Sequence, residues 1–179
     1  FYHRVEHKIP FDLDLFNKIT NGGVPKKTLN VILAGTGVGK SLFMCHHAAN
    51  CYSANLNVLY ITCEMAEERI AERIDANLMD VTMDELRHLP KIAYDRKLSK
   101  ATGNIKSRLI VKEYPTATAN VTHFRHLLDE LKLKKNFQPD VIFIDYLNIC
   151  SSARFKQGGN VNSYMYIKSI AEELRGLAV

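Results

Sequence analysis

Residues 28–41 read TLNVILAGTGVGKS, and their reading decides the fold. The run 29–34 is apolar, with β-branched Val31 and Ile32 at its centre, the pattern of a strand buried on both faces. Residues 41–54 have helical character. Between the two lie Gly35, Thr36, Gly37, Val38, Gly39 and Lys40, followed by Ser41 and Leu42. A glycine-rich turn that ends Gly-Lys-Ser between a strand and a helix is a phosphate-binding loop. Its successive backbone N–H groups turn inward onto phosphate oxygens, and the helix N-terminus adds favourable partial charge. Lys40 is expected to reach the β- and γ-phosphates and the Ser41 hydroxyl to ligate magnesium. Gly37 and Gly39 serve because a Cβ there would obstruct the phosphates or the backbone angles. The usual GxxxxGK[ST] pattern opens on Gly, where this chain has Ala34.

Outward from this loop, short β-rich runs alternate with helical patterns. Strands are predicted over 58–62, 108–112 and 141–145, and helices over 66–78, 121–134 and 162–177. Strands that are apolar on both faces and separated by helices form a parallel sheet with right-handed crossovers, so the class is α/β. Two stretches interrupt the rhythm. Residues 90–106 are basic and partly helical. Residues 151–163, SSARFKQGGNVNS, form a loop on the carboxyl side of the last strand, where open α/β sheets bind ligands.

Length and composition fit one domain. The chain has 179 residues, 46% of them hydrophobic, which supports a sizeable core and excludes global disorder. No apolar run approaches the roughly 18 residues of a membrane-spanning helix, so no membrane partner is expected. Cys45, Cys51, Cys63 and Cys150 lack CxxC spacing and lie in apolar stretches. They read as reduced, buried thiols of a cytoplasmic protein. The net charge of +5 is uneven: residues 1–90 carry −2 and residues 91–179 carry +7. A polyanion can meet the second half, though an ordinary solvated surface explains the same charge.

Two carboxylates join the loop as candidates. Asp145 ends the apolar strand 141–145, where a carboxylate can hold magnesium through water. Glu64 follows the strand 58–62 and could polarise an attacking water, or could equally be an acid at the start of the next helix. Spacing alone leaves both readings of Glu64 open. His123 and His126 share a helix face but lack a third ligand, and a solvated face accounts for them. His46 and His47 pack or face solvent, and Lys132, Lys134 and Lys135 complement a helix C-terminus. Tyr164 and Tyr166 could stack on bases, but helical packing explains them at least as well.

Taken together, these motifs resemble the RecA-like core of DnaB-type replicative helicases, the T-even-like phage branch in particular. The blocks that carry the likeness are IPFDLDLFNKITNGG, TLNVILAGTGVGKS, NVLYITCEMAEE with ERIDANLMDV, FRHLLDELKLKKNF, VIFIDYLNIC and SYMYIKSIAEELRGLAV, which run through nearly the whole chain. That family accepts Ala at the position of Ala34. The resemblance implies an ATP- and magnesium-dependent helicase core with Glu64 as catalytic carboxylate, Lys40 on the phosphates, and Ser41 with Asp145 on the metal. It implies that the loop after Asp145 faces a ring channel, giving Arg154 and Lys156 contacts to single-stranded DNA. Implied partners are further copies in a homo-hexamer, a primase and a helicase loader.

The resemblance also makes residues 1–179 a single ATPase-core fragment, without the family's N-terminal collar and without the C-terminal strands, arginine finger and channel loops. A sheet lacking the strand that normally lies between the phosphate-loop strand and the Asp145 strand is expected either to pair those two directly or to expose an edge that associates with another copy. Such a fragment is expected to bind nucleotide yet hydrolyse it weakly. A RecA-type recombinase and a phosphate-loop phosphotransferase are the rival readings, and a nucleotide-binding module without activity is a third.

Overall fold

The computed structural model describes residues 7–116, 118–155 and 162–178. The chain enters through a two-residue strand, β1 (Lys8–Ile9), a short helix, α1 (Asp14–Ile19), and β2 (Val24–Pro25), which pairs antiparallel with β1. The phosphate-loop helix α2 (Lys40–Ser53) leads to β3 (Val58–Thr62). Helices α3 (Glu67–Leu78), α4 (Met83–His88) and α5 (Lys91–Thr102) follow, then β4 (Leu109–Glu113) and α6 (Val121–Lys135). Strand β5 (Val141–Asp145), a single 3-10 turn (Leu147–Ile149) and α7 (Ser163–Arg175) complete the described chain.

The main sheet is parallel, with strand order β4-β3-β5. All five residues of β3 are buried, as a central strand between two neighbours and two helical layers must be. Its side chains alternate between the faces. Val58 and Tyr60 point to one side, into a core with Cys45, Ala48, Ala49, Ile70, Ile74 and Phe143, under α2 and α3. Leu59 and Ile61 point to the other, against Phe124, Leu127, Leu131, Ile170 and Leu174 of α6 and α7. The α/β class therefore stands, as do the predicted strands 58–62, 108–112 and 141–145, the second of these displaced by one residue. The basic stretch 90–106 holds α5. The pair β1–β2 and the intervening α1 had no periodic signal, being two residues per strand and six in the helix.

One expectation is corrected. Residues 29–34 form no strand, and neither pair with β5 nor join the sheet in any other way among the described residues. Leu33 is 95% exposed and Val31 68% exposed. Their apolar, β-branched composition encodes a strand, but a strand exists only through ladder bonds to a neighbour, and none is beside this segment. Direct pairing of the phosphate-loop run with the Asp145 strand is thus excluded. Of the other alternative, an exposed edge that associates with another copy, the sheet order gives the edge strand, β5, and does not bear on the association. The four cysteines are free and buried, in line with the reduced-thiol reading.

Candidate functional site

The parallel sheet places the carboxyl ends of β3, β4 and β5 together. Thr62 lies opposite Glu113 on one side and Asp145 on the other. The Cys63 N–H continues the ladder by donating to the Asp145 carbonyl at 2.8 Å. Against this edge stands the N-terminus of α2. Gly39 caps that helix with φ 104° and no side-chain cap, and Gly37 has φ 76°. Both angles lie in the left-handed region that favours glycine. A Cβ on either glycine would meet no protein atom within 4 Å, so within the chain itself it is the backbone angle that demands glycine. The first N–H groups of α2 lack intrahelical partners by construction, and without a side-chain cap they remain available to an anion.

Lys40 is the first residue of α2, and its Nζ lies 3.1 Å from Asp145 Oδ1. Asp145 is fully buried. Its Oδ2 accepts a hydrogen bond from the Tyr60 hydroxyl at 3.2 Å, whereas Oδ1 has no hydrogen-bond partner among the described residues. The ammonium therefore meets Oδ1 as a nearby charge without an aligned N–H. Burial, with Cys45 and Asp145 beside it, pushes the Tyr60 phenol well above its ordinary pKa, so the group stays a donor. A buried carboxylate oxygen without a hydrogen bond, facing an open glycine loop, fits a magnesium–triphosphate group.

Glu64 sits two residues beyond Thr62, exposed, in the bend between β3 and α3. The Thr62 hydroxyl ties that bend by accepting from the Met65 N–H at 3.1 Å and donating to the Met65 carbonyl at 2.8 Å. Helix α3 starts at Glu67 with Ala66 as its cap, and Glu64 caps none of its N–H groups. That task falls to Glu113, whose carboxylate accepts from the Glu67 N–H at 3.2 Å, while Glu67 accepts from the Glu113 N–H at 2.8 Å. The second bond holds the Glu67 carboxyl below its usual range. Glu64 thus makes no helix-start bond, and its carboxylate lies exposed beyond the carboxyl end of the central strand β3.

The loop after β5 is described only at its ends. Arg154 Nη1 pairs with Glu172 Oε2 of α7 at 3.1 Å, and both side chains are about half exposed. Lys156 lies outside the described residues. Tyr166 packs, its hydroxyl accepting from the Ser152 N–H at 3.1 Å, while Tyr164 is exposed. His123 Nδ1 accepts from the Asn120 N–H at the start of α6, and no cluster of metal-ligating side chains occurs among the described residues. His47 is buried and stacks on Phe11. Sequence reasoning missed Tyr60 and Tyr146, which both touch the Lys40–Asp145 pair. Tyr146 directly follows Asp145 in the block VIFIDYLNIC, where it carried resemblance and no stated role.

Comparison with known proteins accords with this geometry. Residues 9–179 match the model of the DnaB-like helicase C-terminal domain. A protein of Enterobacteria phage T4 described as a DnaB-like replicative helicase is 50% identical over 181 aligned residues, which take in 99% of this chain and 38% of that protein. A probable plasmid replicative DNA helicase of Chlamydia psittaci is 28% identical over 151 residues, with 83% of this chain and 31% of the relative covered. The chain thus spans well under half the length of these curated relatives. Among solved structures, a DnaB-like replicative helicase studied with primase aligns with TM-score 0.70 and 19% identity over 99% of this chain and 43% of that one. A second solved structure, described as an ATPase domain, aligns with TM-score 0.65 and 21% identity over 96% of this chain and 60% of that one. At such identities the structural likeness shows the fold, which is the RecA-like fold of these ATPase domains. With the match covering nearly all of its residues, the chain belongs to the DnaB-like helicase C-terminal domain family.

Proposed function

We propose that this chain is the ATP-hydrolysing core of a longer replicative DNA helicase. The observation that carries the proposal is the meeting of Lys40 with a buried Asp145 in front of an open glycine loop. Family membership favours it over a recombinase or a metabolite phosphotransferase. ATP binds with its phosphates against the N–H groups of residues 35–42, Gly35 to Leu42, at the positive end of α2. Lys40 would approach the β- and γ-phosphates, and Ser41 and Asp145 would hold magnesium. When bound, magnesium neutralises charge on the phosphate oxygens.

Glu64 orients a water for in-line attack on the γ-phosphorus and takes its proton. The bond to the oxygen bridging the β- and γ-phosphorus atoms breaks, leaving ADP and phosphate. An arginine from a neighbouring subunit of the homo-hexamer completes the site, a contribution of about 10³–10⁵ in related chemistry. The isolated chain then binds nucleotide and turns it over slowly. Arg154 and Lys156 line the path of single-stranded DNA; the Arg154–Glu172 pair, half exposed, gives way to a phosphate at little cost. Primase and a helicase loader act on the whole protein, in the cytoplasm of the host cell.

The test is ATP hydrolysis by the full-length protein with and without single-stranded DNA, alongside Lys40→Ala and Glu64→Gln. The expected result is strong stimulation by DNA, loss of nucleotide binding in Lys40→Ala, and at least about 100-fold slower turnover with binding retained in Glu64→Gln. Hydrolysis indifferent to DNA would overturn the helicase reading.

A further inference from the structure

The phosphate-loop lysine has two partners in this structure, and only one is a carboxylate. Its Nζ is 3.1 Å from Asp145 Oδ1 and 3.7 Å from the centroid of the Tyr146 ring. A cation over a tyrosine face is attracted by the ring quadrupole, more strongly where water is thinned. The side chain of Lys40 is 22% exposed and that of Asp145 only 1%, so the contact lies at the protein–solvent boundary. Buried Asp145 needs a neighbouring positive charge. Here Lys40 supplies it.

We propose that Tyr146 is a positioning residue. Its ring holds the Lys40 ammonium against Asp145, and reaching the phosphates of a nucleotide takes Lys40 off both. The proposal rests on the nucleotide-binding reading of the loop. Charge accounting gives the logic. One buried carboxylate needs one cation: Lys40 is that cation here, and a divalent cation that took over the task would free the lysine for the phosphates. The parked arrangement competes with binding, so weakening the ring's hold tightens nucleotide affinity. Ordinary packing of Tyr146 predicts the opposite or no change, because a poorly packed strand end loosens the site.

Two measurements test this on the full-length protein of which this chain is the proposed core. The first is titration with a fluorescent ADP analogue, with and without magnesium, for wild type, Tyr146→Phe and Tyr146→Leu. Tyr146→Leu should bind about three- to tenfold more tightly, the loss of one cation–ring contact, while Tyr146→Phe, which keeps the ring, matches wild type. The gain should be larger without magnesium, where nothing else relieves the lysine. The second needs no change at Tyr146 and so survives any folding defect in those variants. In protein labelled with ¹³C-lysine, the Lys40 CεH₂ protons, assigned by their loss in Lys40→Arg, should lie upfield from the ring current and move downfield on adding ADP with magnesium. Unchanged affinity in Tyr146→Leu, or a Lys40 signal at the ordinary lysine position, overturns the platform while leaving the nucleotide site standing. Failure of the wild-type protein to bind the analogue at all overturns the nucleotide reading and the platform with it.

Discussion

The Ser152 hydroxyl donates to Glu173 Oε1 at 2.7 Å, joining the residues past β5 to the last turn of α7. The same carboxylate accepts from the Ala153 N–H through Oε2 at 2.9 Å, and the Ser169 hydroxyl lies 3.0 Å from that of Ser152. Ser152, Ser169 and Glu173 are all buried. A buried carboxylate persists only when its lone pairs are filled, and this one is filled by the foot of the loop that carries Arg154.

Glu173→Ala should therefore destabilise the chain by about 1–3 kcal/mol, because it takes the acceptor from the buried Ser152 hydroxyl. Glu172→Ala, one residue earlier, loses only exposed pairing, chiefly with Arg154, and should cost under about 0.5 kcal/mol. Urea unfolding of the two variants side by side checks the contrast.

Tyr60→Phe removes the one hydrogen bond to Asp145 Oδ2 while keeping the ring that stacks on Phe143 at 5.8 Å. The expected loss is about 1–2 kcal/mol from the bond, with no change in far-ultraviolet circular dichroism. Equal midpoints for variant and wild type in urea would show that Asp145 does not depend on Tyr60.

Two adjacent glycines should respond differently. Gly23 has φ +120°, and a Cβ there would run into the Ile9 carbonyl, across the β1–β2 pair. Gly22 has φ +105°, yet its nearest neighbour would be a Lys8 side-chain carbon at 4.0 Å. Gly22→Ala is strained in the backbone alone, about 1–2 kcal/mol, whereas Gly23→Ala adds a clash with main chain and should exceed it by at least about 1 kcal/mol. Thermal melting of both variants measures the difference.

His47 gives a pH dependence. Burial against Phe11 and Phe143, with His46 adjacent, lowers its pKa to about 4 from the ordinary 6.5. Between those values the unfolded chain binds a proton that the folded chain does not. The contribution is thus fully present above pH 6.5 and is lost as pH falls toward 4. Between about pH 7.5 and about pH 5 it amounts to roughly 1–2 kcal/mol. His47→Leu should flatten that part of the stability–pH curve, read from urea midpoints at the two pH values.

The sequence by itself determined the elements whose signals are local. The glycine turn 35–41 must sit between an extended segment and a helix, because Gly37 and Gly39 supply the left-handed angles and Lys40 opens α2. The parallel sheet was legible because β3 carries five consecutive apolar or small residues, which only a two-sided burial explains. Asp145 was legible as the polar end of such a strand.

Tertiary structure decided the rest, for one physical reason: a contact between distant segments leaves no periodic trace in either. Residues 29–34 have strand composition, but ladder bonds require a neighbour, and only the assembled sheet reveals that none lies there among the described residues. Glu64 read equally well as an acid at the start of α3 until β4 came alongside β3 and set Glu113, distant in the chain, against the first N–H of that helix. The placement of Lys40 between Asp145 and the Tyr146 ring follows from the packing of α2 against β5, since electrostatics and stacking act through space and not along the chain.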